Sequence, residues 1–275
     1  MNVSDVSVII PTMAGREVLL KRLLDSLPEG VEVIVVSDED KLLAAKRNKG
    51  ADLSHGKYLF FIDDDNYLKE GAIYEMVKSF DSEIGVMGMV ACYDDKKRRI
   101  ADGGSDRNML TGFTRGIYTN WYLSEMDAAV YEVDEVANAF MIRRDVFEDS
   151  GGFDEKNFPI DLDEADLCKR IEDMGYLICM NPRALCYHKS ITYNGIPNFR
   201  REKSAYFLSR NIILFQRKHL NALSYWVFVV FFLPIRICFY LSALVWNKNF
   251  QMIVPMMKGY LDGIRGRRTN KYQPR

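Results

Sequence analysis

Short apolar runs alternate with helical stripes from the start of the chain. VSVII (6–10), VEVIVV (31–36), KYLFFI (57–62) and IGVMGMV (84–90) are β-branched or aromatic runs of strand length. Residues 16–27 place Val18, Leu19, Leu23, Leu24 and Leu27 at helical spacing, with Pro28 as a stop. Residues 40–53 repeat the pattern through Leu42, Leu43, Ala45 and Ala51, and residues 69–80 through Ile73, Met76, Val77 and Phe80. The order β, α, β, α, β, α, β predicts a parallel sheet with right-handed crossovers and helices on both faces. Ligands in such sheets sit beyond the carboxyl ends of the strands. Polar residues gather there: Thr12 after the first run, Ser37 and Asp38 after the second, Asp63, Asp64 and Asp65 after the third.

Further on, YDDKKRR (93–99) reads as a hairpin tip, 101–116 as turn-rich, and 131–142 as one or two strands before a helix from Arg144. Residues 222–246 are the most apolar stretch. Its length would span a membrane. Pro234 and Arg236, however, are expected to divide it into pieces too short to span, and an arginine at mid-bilayer would cost about 2.5–3.5 kcal/mol. Arg210, Arg217 and Lys218 precede the stretch, and Lys248, Lys258, Arg265, Arg267 and Arg268 follow it. Basic flanks on both sides predict a hairpin or helix pair lying in the interface, both ends cytoplasmic. Phe250, Ile253, Met257, Leu261 and Ile264 continue an amphipathic stripe. The competing reading is a packed helical subdomain, including a homodimer contact.

Composition sharpens this division. The net charge of −1 is the sum of −13 over residues 1–197 and +12 over 198–275. The acidic part argues against nucleic acid, and the basic, apolar part fits an anionic membrane surface. The expected organisation is an α/β domain over 1–197 and a basic, apolar helical region over 198–275 that associates with membrane. The five cysteines are odd in number and form no C-x-x-C pair, which excludes disulfide and zinc frameworks and favours a reducing compartment. No basic-then-apolar leader precedes the first strand.

Three clusters could carry chemistry. In a strand, Asp63 and Asp65 would share a side, and two repelling carboxylates there suit Mg²⁺ or Mn²⁺ with a bound diphosphate; an acidic turn before a helix is the alternative. Asp161, Asp163 and Glu164 open a helix carrying Leu167, Ile171 and Met174. There an acid caps the helix, or one carboxylate accepts a proton from a substrate hydroxyl. His188 follows ALCY at a strand end and is either structural or a metal ligand. Arg47 lies on a solvated helix face or contacts a diphosphate.

VSVIIPT (6–12), VIVVSDED (33–40), AAKRNKGADLSHGKYLFFIDDDN (44–66), GGFDEKNFPIDLDEADLCKRIEDMGY (151–176) and ALCYH (184–188) together resemble glycosyltransferase family 2, the inverting enzymes of GT-A fold. The resemblance implies a mixed α/β sheet flanked by helices over residues 1–197. It places Thr12 and Asp38 around the nucleoside, Arg47 near the diphosphate, and Asp63 and Asp64 beside Asp65, the direct metal ligand, with His188 on the metal side. Asn138 falls where the family lines the acceptor pocket, and the loop from Gly103 to Trp121 is expected to touch the acceptor. The family's base is the Asp of a Glu-Asp pair. Here the types are swapped, which leaves Glu164 or Asp163 as the base. FPIDLDEADLC is also similar to the rhamnosyltransferases of the family.

The expectation is a metal-dependent inverting glycosyltransferase. It would move a hexosyl or rhamnosyl group from a nucleotide-sugar to a lipid-linked or polysaccharide acceptor at the cytoplasmic membrane face, as a peripheral or monotopic protein. Two rivals differ in kind. A sugar-nucleotide nucleotidyltransferase would release pyrophosphate and would need a richer loop than TMAGRE (12–17). A catalytically inactive scaffold of the same fold would show no transfer.

Overall fold

The structure, a computed structural model, describes residues 3–94, 99–188 and 202–267. The amino-terminal half alternates as its sequence pattern requires: β1 (Val6–Pro11), α1 (Glu17–Leu24), β2 (Glu32–Val36), α2 (Leu43–Asp52), β3 (Tyr58–Ile62), a short β4 (Asn66–Leu68), α3 (Ala72–Ser79) and β5 (Ile84–Tyr93). Then come β6 (Ile100–Asp102), β7 (Ser105–Arg107), β8 (Thr114–Gly116), β9 (Tyr131–Glu132), β10 (Ala139–Arg143), α4 (Arg144–Asp149), α5 (Asp163–Asp173) and β11 (Leu177–His188).

The main sheet runs β2-β1-β3-β10-β5-β11-β4. β1 pairs in parallel with β2 and β3, and β5 with β11. Between these blocks β10 inserts antiparallel to both β3 and β5. The sheet is therefore mixed, and the all-parallel expectation is corrected at that strand. The family's mixed GT-A sheet is what forms.

Strand alternation sorts the side chains into two cores. Val6, Val8, Ile10, Phe60 and Ile62 pack with Leu23 of α1 and Ile73, Met76 and Val77 of α3. Ile9, Leu59 and Phe61 face the opposite way, onto Ala44 and Ala51 of α2, Val146 of α4 and Leu167 and Ile171 of α5. Both faces of β1, β3 and β5 are covered, so these strands are fully buried and, Ser7 aside, almost wholly apolar. Gly50 lets α2 approach β1 closely, because a Cβ there would drive into Ile9. β5 and β6 form the expected hairpin, though its tip at 95–98 lies outside the described residues.

The carboxy-terminal helices are α6 (Glu202–His219), α7 (Ala222–Val227), α8 (Leu233–Trp246) and α9 (Ile253–Ile264). α6 packs on α9 where Gly259 and Gly263 allow the backbones to meet. The expected break at Pro234 does not occur. A π turn over Phe228–Phe232 joins α7 to α8, so Ala222–Trp246 is one helix of 25 residues. Pro234 falls in the first turn of α8, where the π turn has already shifted the hydrogen-bond register, so its missing N–H costs little. Arg236 does not face outward: its Nη1 donates to the Gly112 carbonyl at 2.9 Å. Two of the expected basic flanks are also spent internally. Arg210 is fully buried, and Lys218 pairs with Asp154 and Asp166. Arg268 lies outside the described residues.

Candidate active site

The apolar run of β3 ends at Ile62, and the chain turns at once. Asp63 has left the strand, Asp64 and Asp65 occupy a turn closed by the Asn66 amide on the Asp63 carbonyl (3.1 Å), and β4 begins at Asn66. Strand alternation, from which Asp63 and Asp65 were expected to share a side, therefore does not govern the triplet. Asp63 is held by Arg47, while Asp64 and Asp65 share Arg16. Asp64 accepts from the Thr12 hydroxyl at 2.6 Å and from Arg16 at 2.7 Å. Asp65 accepts from the same Arg16 at 2.8 Å and lies 3.3 Å from His188 Nε2. His188 arrives there because β11 pairs with β4 in the register His188↔Asn66. Burial lowers the His188 pKa, favouring the neutral ring that can ligate a metal.

Thr12, Arg16, Asp63, Asp64 and Asp65 line a cleft of about 530 Å³ with Lys46 of α2 and Lys203 of α6. The Lys46 ammonium donates to the Thr12 carbonyl at 2.5 Å, tying α2 to the end of β1. Asp38 precedes the cleft-lining Glu39 and is engaged by Lys49 at 2.5 Å. The cleft so combines acidic residues on one wall with Arg16, Lys46 and Lys203. Asp65 and His188 meet beside Asp64, and among the described residues no group of three or more His, Cys, Asp or Glu side chains is arranged to hold a metal ion. Arg16 spans Asp64 and Asp65 as a cation would.

Arg47 does not lie on a solvated helix face. Its side chain is completely buried, and it makes three ion pairs: Asp63 at 3.0 Å, Asp163 at 2.7 Å and Glu164 at 2.7 Å. Arg47 is not among the residues that line the cleft. It instead ties the end of β3 to the start of α5, a separation of more than a hundred residues in the chain. One cation among three carboxylates leaves excess negative charge, so a proton is retained. Burial and the Glu164 charge push Asp163 well above the usual carboxylate range. Burial acts on Glu164 too, but Arg47 and the hydrogen bond with Asp163 hold it below. Asp163 Oδ1 has no donor, and a proton there, given to Glu164, resolves that orphan. Burial raises Asp63 to about 6 against the pull of Arg47.

The sequence model described as glycosyl transferase family 2 matches residues 30–151, less than half of the chain. Over those residues the chain is similar to family 2 glycosyltransferases. Its fold is that of the mannosyltransferase PcManGT from Pyrobaculum calidifontis, solved with GDP-Man and Mn²⁺: TM-score 0.52 at 14% identity, covering 94% of this chain and 87% of that one. The structure of S. aureus TarS 1-349 superposes with TM-score 0.49 at 11% identity, over 95% of this chain and 73% of that one. GalNAc-T7 with UDP, GalNAc and Mn²⁺ gives TM-score 0.49 at 17% identity over 70% of this chain, which spans only 44% of that protein. No curated protein sequence matches.

The family match ends before α5, so the Asp163–Glu164 pair rests on geometry alone. Neither Asp161 nor Asp163 caps that helix, as the sequence allowed. Leu162 is the N-cap residue, makes no side-chain cap and has φ 59°, directly after Asp161 at φ 62°. Two consecutive non-glycine residues in the left-handed region store strain, which persists only when the surroundings enforce it. The enforcing contacts come from α6: Asn211 Nδ2 donates to the carbonyls of Ile160 (2.8 Å) and Asp161 (2.7 Å). Burial, then the Glu164 charge, raises Asp161 to about 7.

On the other side, Asn138 also has a positive φ, 62°. Its carbonyl accepts from the Asp63 amide at 3.0 Å, and its side chain donates to Asp102 at 3.0 Å. Trp121 is half exposed and stacks edge-on against Tyr118, beside Tyr131. The structure thus brings Thr12, Asp63, Asp64, Asp65, His188, Arg47, Asp163, Glu164 and Asn138 into one linked set, with Asp38 and Trp121 at its margins. Arg16, Lys46 and Lys203 were not singled out from sequence. An arginine five residues past β1 was the only visible signal for the first, and nothing local marked the lysines.

Proposed function

We propose that the chain is an inverting glycosyltransferase that moves a sugar from a nucleotide-sugar donor to an acceptor hydroxyl, with Mg²⁺ or Mn²⁺ at Asp65 and His188. The observation that carries this reading is the Arg47 cluster. Through Arg47 it links the charged carboxylate of Glu164 to Asp63, a cleft-lining residue two positions before Asp65.

Glu164 takes the proton from the acceptor hydroxyl as its oxygen bonds to the anomeric carbon, and Asp163, holding its own proton, supports Glu164 through a hydrogen bond. The bond from that carbon to the diphosphate breaks on the opposite face, and the electron pair leaves with the nucleoside diphosphate. Arg16, Lys46 and Lys203 offset the leaving charge. When bound, the cation would add Lewis-acid stabilisation of the diphosphate. Thr12 and Asp38 lie on the nucleoside side, and Asn138 and Trp121 on the acceptor side. The mannosyltransferase of the same fold was solved with GDP-Man and Mn²⁺, in keeping with this donor class.

We further read residues 1–197 as the catalytic unit and 198–275 as the region that holds it at the cytoplasmic membrane face, where a lipid-linked or polysaccharide acceptor is available. Calorimetry of the full chain with UDP-, GDP- and dTDP-sugars and Mn²⁺, followed by transfer assays, tests the core reading. Asp65→Ala is expected to lose metal-dependent donor binding. Glu164→Gln is expected to keep donor binding and lose about 10²–10⁴-fold in kcat. Unchanged turnover in both variants would overturn the assignment.

A further inference from the structure

A second cavity, of about 120 Å³, lies where the loop between β7 and β8 meets the carboxy-terminal helices. Arg107, Thr114, Ser209, Arg236, Tyr240 and Tyr260 line it, and no carboxylate does. Leu162, one residue before the acidic pair of α5, forms part of its wall.

Its charge is out of balance. Arg107 and Arg236 both donate through Nη1 to a single acceptor, the Gly112 carbonyl, at 3.3 and 2.9 Å. Two guanidinium groups are thereby held against each other. Glu135 pairs with Arg107. Among the described residues no carboxylate pairs with Arg236, which instead lies over the rings of Phe113 (5.0 Å) and Tyr240 (4.9 Å). Its Nε is buried without an acceptor. Ser209, 1% exposed, turns its hydroxyl toward the Tyr260 phenol, which also faces Arg236, and no other polar group satisfies it among the described residues. A guanidinium with no carboxylate partner and a buried Nε with no acceptor is costly to maintain in a fold, and a bound anion would satisfy it with the Ser209 hydroxyl beside it. Arginine's planar fork with a nearby hydroxyl suits the tetrahedral oxygens of phosphate.

We propose that this cavity binds a phosphate group, held by Arg236, Arg107 and Ser209. The chemistry is common to a phospholipid headgroup and a soluble phosphate ester. The exposed Ile235 and Phe239, on the same helix as Arg236, would let an attached acyl or isoprenoid chain leave along an apolar surface. This site stands apart from the sugar-transfer reading, because its test reads binding alone.

Phosphorus NMR titration of the full chain with inorganic phosphate is expected to show saturable binding. Arg236→Gln should weaken it at least tenfold and Ser209→Ala severalfold. Ser209→Ala removes one buried oxygen, so it keeps the proposal testable if Arg236→Gln fails to fold. Vesicles of phosphatidic acid that displace the phosphate would identify a lipid headgroup as the source. Displacement by glucose 1-phosphate but not by vesicles would identify a soluble ester. No saturable binding, or equal binding by Ser209→Ala and every folded Arg236 variant, would overturn the proposal, the second result assigning the phosphate to the donor cleft.

Discussion

Arg47 brings one positive charge into contact with three carboxylates, and removing it would leave all three buried and unbalanced. Arg47→Met is expected to lower stability by about 3–5 kcal/mol, the usual result of breaking one side of a buried ion pair. Arg47→Lys keeps the charge but not the fork that grips two acids of α5 through one nitrogen and Asp63 through another. It should fold, bind donor with nearly unchanged KM, and lose on the order of 10²-fold in kcat through misplacement of Glu164. Thermal unfolding and steady-state kinetics check both; a raised donor KM with intact kcat would return Arg47 to the diphosphate. The sequence could not make this distinction. An arginine on a helix near an acidic strand end looks the same whether it faces solvent, ligand or interior, because its partners Asp163 and Glu164 lie more than a hundred residues away. The Asp63–Asp65 triplet was legible as a charged cluster, yet its geometry was not, since the turn that separates the three depends on β4 pairing with β11.

At the scale of elements, local pattern and distant pairing contribute differently. The apolar runs that became β1, β2, β3 and β5 were readable to within a few residues, because each strand is buried on both faces or at the sheet edge and shows this in its own composition. The antiparallel insertion of β10 was not, because strand order is set by partners far apart in the chain. Continuity through Pro234 was also hidden, since a π turn leaves no signature in composition. The dependence of α5 on α6 belongs to this scale. Asn211 of α6 is fully buried and supplies amide donors to two carbonyls of the strained turn before Glu164. Asn211→Ala would leave those acceptors unsatisfied, at about 1–3 kcal/mol. The expected outcome is faster amide hydrogen exchange across residues 160–165 and a lowered kcat, with exchange in β1 and β3 unchanged. If protection falls equally in the strands, the turn does not open independently and α6 supports the whole domain.

For the molecule as a whole, the question is what covers the outer face of the carboxy-terminal helices. Leu223, Trp226, Val230, Phe231, Ile235, Phe239, Val245 and Trp246 are exposed along one 25-residue helix, and Phe250, Val254, Leu261 and Ile264 continue the surface. Lys248, Lys258 and Arg265 are exposed beside them. Water does not tolerate an apolar patch of this extent on an isolated protein without a partner. An anionic interface would take both parts: the aromatic and aliphatic side chains enter the headgroup region while the cations meet lipid phosphates, at about 1 kcal/mol for each basic residue. Lys258→Gln with Arg265→Gln should therefore weaken binding to vesicles containing phosphatidylglycerol by about 2 kcal/mol, roughly 30-fold. Raising the salt should reproduce part of that loss in the unmutated chain. Trp226→Glu with Phe231→Glu should abolish binding at any salt. Cosedimentation with vesicles measures all three, and sedimentation velocity without lipid measures the competing arrangement. A concentration-dependent dimer that the glutamates dissolve, together with no retention by vesicles, would mean that a second copy of the chain covers this face. The helices would then join two catalytic domains rather than seat one on a membrane.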